Sequence, residues 1–142
     1  MFSSLTSVAA CMVSASLLCA SGCQRQEDGP QRFQCEGKIT FQGKPIPKGS
    51  ISFEPDFKAG NSGPGTMVRI QNGTYSTSPG KGIVGGAYRV VIFGYDGKSP
   101  DGLGDGQPLF PELTLTREFP FKNCREDFQL TAEDTAAKNL RK

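Results

Sequence analysis

The chain has 142 residues, with 16 Lys and Arg against 14 Asp and Glu for a formal charge of +2, and it contains no histidine and no tryptophan. The missing histidine excludes a His-ligated zinc centre and a His-based hydrolytic triad. Neither charge sign gathers into a block, which excludes a nucleic-acid footprint. The 18 glycines and 10 prolines disfavour long helices and favour short strands joined by turns.

Residues 1–22 carry no Asp, Glu, Lys or Arg, and Val8 to Ala20 is rich in Ala, Val, Leu, Ser and Cys. This composition reads as a secretory signal, and its serines and limited length argue against a membrane-spanning helix. The stretch closes on Leu17-Leu18-Cys19-Ala20-Ser21-Gly22-Cys23 and gives way to polar Gln24-Arg25-Gln26-Glu27-Asp28. A cysteine directly after small residues at this place resembles a bacterial lipobox. That resemblance implies removal of 1–22 and acylation of Cys23; the alternatives are an ordinary secretory signal or an uncleaved segment. Gln24 rather than Asp after the lipid site favours the outer membrane, on its periplasmic or surface face. Residues 23–34 lack apolar periodicity and read as a flexible tether.

The remaining 120 or so residues suit one domain. Cys11 and Cys19 leave with the signal and Cys23 takes lipid, so Cys35 and Cys124 remain as an even pair in an oxidising compartment. A disulfide between them is the expectation; two buried free thiols are the alternative.

Cys35 to Gln42 alternates, with Cys35, Gly37, Ile39 and Phe41 on one face. Gly43 to Gly49 turns the chain, and Ser50 to Glu54 alternates again, which predicts a hairpin between the two segments. A strand at 66–71 meets Thr74 to Thr77 across Asn72-Gly73, a two-residue turn signal. Ala87 to Phe93 is apolar on both parities, as in a strand covered on both sides. Gly94 to Gln107 reads as a long loop. Leu113 to Phe119 and Glu126 to Leu130 close the series, and 132–142 is a polar tail. Seven or so short strands predict an all-β fold, an antiparallel β-sandwich of immunoglobulin or transthyretin type over residues 35–131. By parity both Cys35 and Cys124 point inward; because Glu126 shares the parity of Cys124, the alternative is that Cys124 sits just before the strand or beside a bulge.

The run Gly37 to Pro55 (GKITFQGKPIPKGSISFEP), then Asn72 to Tyr75 (NGTY) and Gly82 to Ile92 (GIVGGAYRVVI), resembles the carboxypeptidase regulatory-like, transthyretin-like domain of small bacterial lipoproteins. The likeness covers about residues 35–131. Gly85-Gly86 stands where the family commonly has Pro-Gly, and Asn72 where it has Asp; both still serve turns. The resemblance implies the sandwich and no activity of its own.

No enzyme is expected. The transthyretin-related hydrolases depend on histidines and a Tyr-Arg-Gly-Ser terminus, whereas this chain has no histidine and closes on Leu140-Arg141-Lys142. The reading is therefore a lipid-anchored, non-catalytic structural or protein-interaction domain of the cell envelope, without a cofactor. Its partners would be the membrane, through the lipid, and an envelope protein or glycan. The alternative is a small-ligand or glycan-binding module. In that reading Asp96, Asp101 and Asp105 in the 96–106 loop would offer hard oxygen ligands to calcium, and exposed Tyr75, Tyr88 or Tyr95 would contact a sugar. The aspartate spacing is not that of an EF-hand, Asp and Gly are also ordinary loop formers, and strand tyrosines usually pack inward.

Overall fold

The computed structural model describes residues 29–100 and 102–136, so the predicted leader, Cys23, Asp101 and residues 137–142 lie outside the described residues. Nine strands follow in order: β1 (Cys35–Phe41), β2 (Lys44–Pro45), β3 (Lys48–Pro55), β4 (Thr66–Gln71), β5 (Thr74–Ser76), β6 (Gly86–Tyr95), β7 (Leu113–Phe119), β8 (Cys124–Arg125) and β9 (Phe128–Leu130). A short helix α1 (Ala132–Ala136) comes last. Thr131 caps it: its backbone N–H and its hydroxyl both donate to the Asp134 carboxylate at 2.8 Å, a reciprocal cap on the first turn.

The fold is all-β and sandwich-like. The strands run in the order β2-β1-β5-β4-β3-β6-β7, with β8 and β9 also on β1. The first half of β1 pairs with β5 and β8 and the second half with β2 and β9, so one strand serves two edges and the sheet curls around its apolar face. Inward positions alternate as period two requires. Ile39, Ile51, Phe53, Ile70, Tyr75, Tyr88, Val90, Ile92, Leu113, Phe119, Phe128 and Leu130 meet in one core. Phe53 stands at its centre, 5.9 Å from the Tyr75 ring and 5.5 Å from Phe119 in an edge-to-face contact.

Two strand predictions are met to the residue, β4 and β7. The first hairpin is not. The segments now seen as β1 and β3 do not pair with each other; β1 folds back on the two-residue β2, and β3 runs between β4 and β6. The cause is local. Gln42 and Gly43 take positive φ (51° and 75°), a tight reversal, and Pro45 and Pro47 lack the N–H groups that would extend the ladder. Ile46 is then buried, and the chain crosses to the other part of the sheet.

The second difference is orientation. An antiparallel sandwich was expected, and most pairs are antiparallel, but β8 and β9 lie parallel to β1. Gly37 makes this possible: a Cβ there would stand 1.9 Å from the Glu126 carbonyl oxygen. Only a bare backbone lets Glu126 and Asp127 come in, where the Lys38 N–H donates to Asp127 Oδ1 at 2.7 Å.

Candidate functional site

The sequence singled out four groups: Cys23, the pair Cys35 and Cys124, the aspartate loop, and the tyrosines. Cys23 lies outside the described residues. The other groups are placed by the strands.

Cys35 and Cys124 are direct Cα partners in the parallel β1–β8 pairing. Both are free thiols here, Cys35 fully buried and Cys124 half-buried. Each perturbs the other. Burial pushes the Cys35 thiol from its ordinary 9.0 up to about 12, with the neighbouring Cys124 adding to the rise and the Tyr75 hydroxyl opposing it. Burial also raises Cys124, while its interaction with Cys35 acts the other way. The Tyr75 hydroxyl donates to the Glu126 carbonyl at 2.7 Å and lies 3.8 Å from Cys35 Sγ. Tyr75 is itself shifted upward by burial. Two thiols, a phenol and a carbonyl therefore form one buried polar cluster where β8 joins β1.

The aspartate loop is held by its own backbone rather than open. Asp96 Oδ1 accepts N–H groups from Lys98 and Gln107, each at 2.9 Å, and these bonds hold its carboxyl below the usual carboxylate range. Asp96 and Gly97 donate in turn to the carbonyls of Gln107 and Asp105. Gly106 sits at φ 93°, where a Cβ would strike the Asp96 carboxylate. Asp105 faces Arg69 at 3.8 Å across a solvent-exposed pair. Asp96 and Asp105 thus each have their own partners, the loop amides and Arg69, and Asp101 is outside the described residues. No cluster of three or more His, Cys, Asp or Glu side chains suited to a metal occurs among the described residues.

Two of the three tyrosines belong to the core. Tyr88 is wholly buried, packs edge-to-face on Phe119 at 5.7 Å, and accepts the Val84 N–H at 3.0 Å. Tyr75 is described above. Tyr95 alone keeps partial exposure, at the end of β6.

Sequence reasoning missed Asn61. This buried side chain donates to the carbonyls of Gly85 (3.2 Å) and Ala87 (2.8 Å) and accepts the Gly63 N–H, tying the loop after β3 to the start of β6. Gly85 and Gly86 both stand at φ 85°, which explains the double glycine. No pattern in the sequence announces Asn61, because two of its three partners are backbone carbonyls more than twenty residues away.

No family model matches the chain, and no curated protein or solved structure matches it.

Proposed function

We propose that this chain is a lipid-anchored protein of the cell envelope whose β-sandwich acts as a non-catalytic interaction domain. The observation that carries the reading is the run Leu17 to Cys23, an uncharged apolar stretch ending in small residues and a cysteine, with polar residues directly after it. The first strand starts about a dozen residues beyond Cys23, a spacing that suits a short tether between lipid and domain. The likeness of Gly37 to Pro55 and Gly82 to Ile92 to the transthyretin-like domains of small bacterial lipoproteins supports the same reading. Gln24 directs the protein to the outer membrane.

Cys35 and Cys124 form a disulfide in that compartment. Neighbouring strands lie about 4.8 Å apart, and a disulfide bridges Cα atoms about 4.4–6.8 Å apart, so the pairing of Cys35 with Cys124 in β1 and β8 supports the bond, which closes when the two thiols, free here, move together. An oxidising disulfide, carried by an oxidoreductase or a small molecule, accepts the two electrons and two protons. Half-buried Cys124 is the thiol it reaches first, and Cys35 then displaces it.

Fractionation of cells tests the anchor. The native protein stays with membranes after high-salt and carbonate washes, and Cys23→Ala moves it to the soluble envelope fraction. If Cys23→Ala remains equally membrane-bound with unchanged mass, the reading is wrong.

A further inference from the structure

The two ends of the sandwich differ in charge. One end is built from residues 29–34 and the loops 56–65, 77–85 and 120–123, which are stitched together. Phe33 and Ile83 exchange backbone hydrogen bonds, Arg32 Nε donates to the Gly82 carbonyl at 2.9 Å, and the Gln34 N–H donates to Asn123 Oδ1 at 2.8 Å. The Phe121 ring lies against the bare backbone of Gly85. This end carries Arg32, Lys58, Lys81 and Lys122. Its carboxylates are Asp56, which accepts the N–H groups of Lys58 and Ala59, and Glu118 at the close of β7. The three lysines are exposed and take part in none of the four ion pairs among the described residues, all of which use arginines. Phe121 is 74% exposed at this end, and Phe57, 72% exposed, stands with Lys58 where the 56–65 loop turns onto the flank of β6 and β7.

The opposite end holds the turns at 42–47 and 72–73 and the 96–112 loop; α1 lies along the flank between the ends, where Asp134 shares a groove with Phe57 and Lys58. The described charges of the opposite end are Lys44, Lys98 and Lys48, which donates to the Gly104 carbonyl, against Asp96, Glu112 and Asp105, which Arg69 meets. This end thus carries no basic excess of exposed, unpaired lysines like the first. β6, ten residues long, separates the ends by roughly 33 Å.

The basic end is also the end at which the chain arrives. Gly29 and Pro30 are exposed there, and Pro30 lines the same groove as Phe121. Six residue steps separate Cys23 from Gly29, a reach of at most about 20 Å whatever path they take. A lipid on Cys23 therefore holds this end, and not the opposite one, near the bilayer.

We propose that the end formed by Lys58, Lys81, Lys122, Phe57 and Phe121 is a docking surface for anionic phospholipid headgroups, which sets the sandwich upright with its acidic 96–112 loop pointing away from the membrane. Exposed aromatic rings enter the interfacial region while lysines meet lipid phosphates, the pattern by which peripheral surfaces bind bilayers. Lipid phosphate is favoured over an acidic protein because the tether delivers this end to a membrane before any other partner. This inference rests on the lipid-anchor reading for its biological setting, but its test does not.

The full chain with Cys23→Ala is mixed with vesicles of phosphatidylcholine alone, or with three-tenths phosphatidylglycerol, and bound protein is measured by sedimentation. Any contribution of residues 1–22 acts on both vesicles and cancels in the ratio. The chain prefers anionic vesicles, and the preference collapses in 0.5 M salt, which shortens the Debye length to about 4 Å. Each lysine contributes roughly fivefold, so Lys58→Gln/Lys81→Gln/Lys122→Gln lowers the preference about 100-fold. Lys44→Gln/Lys98→Gln, at the far end, leaves it unchanged. Phe57→Ser/Phe121→Ser weakens binding to both vesicles. An equal preference in the triple-lysine and native proteins overturns the proposal. So does a dimer of the free chain that the triple substitution dissociates, which would assign the surface to a second copy. Cys23 acylation without a vesicle preference refutes the docking surface alone; a vesicle preference without acylation refutes the anchor alone.

Discussion

Oxidising the Cys35–Cys124 pair should raise the stability of the domain by an amount set by the loop it closes. The two residues lie roughly 90 positions apart, and the chain-entropy account gives about 4–5 kcal/mol for a loop of that length. A folded part of about 100 residues unfolds with roughly 0.2 kcal/mol per kelvin of entropy, so the midpoint should rise by about 20 °C. The β1–β8 register supports a value up to this one, because the cysteines are strand partners, and any shift that closes the bond lowers it. Scanning calorimetry of protein oxidised with glutathione disulfide, against the same sample in excess reductant, reads the shift. A mass 2 Da lower and resistance to alkylation report the bond. Cys124→Ser should match the reduced protein and ignore oxidant. Thiols that remain alkylatable after oxidation refute the geometry, and a bond that moves the midpoint by less than a few degrees refutes the loop argument.

The same cluster makes a pH prediction for the reduced protein. The Cys35 thiol is raised from 9.0 to about 12 in the fold, so folded protein keeps a proton that unfolded chain loses. Its contribution is intact below pH 9 and declines as pH climbs toward 12; urea melts should show the reduced form losing stability faster than the oxidised one over that window. Tyr75→Phe removes the donor to the Glu126 carbonyl and should cost about 1–2 kcal/mol, read by the same melts. Gly37→Ala places a Cβ against the Glu126 carbonyl and should cost about 3 kcal/mol, with hydrogen exchange rising in β8 and β9 before β3 and β6. Asp96→Ala frees the Lys98 and Gln107 N–H groups; exchange should quicken at those two amides while the global midpoint shifts only slightly.

Much of the strand pattern was legible because burial imposes period two. β4 and β7 keep their expected bounds, and the inward parity of Cys35, Ile39, Ile51 and Phe53 is as read. Pairing was less legible. Alternation tells which face a residue takes but not which strand lies beside it, so the partnering of β1 with β8 and β9 stayed hidden. Both cysteines could be placed inward, yet their direct opposition depends on Gly37 admitting Glu126, a contact across most of the chain. In the aspartate loop, a carboxylate that closes a turn and one that awaits a cation have the same spelling, and the N–H groups of Lys98 and Gln107 show that Asp96 closes the turn. The gathering of Lys58, Lys81 and Lys122 near one end is invisible until the topology says which loops share an end.

The central claim rests on the chemistry of one residue. Mass spectrometry of the N-terminal peptide, from protein purified out of membranes, tests it most directly. The account predicts a peptide that starts at Cys23 and carries acyl chains on that cysteine. A peptide that retains residues 1–22, or one that starts at Cys23 or later with an unmodified thiol, would contradict it.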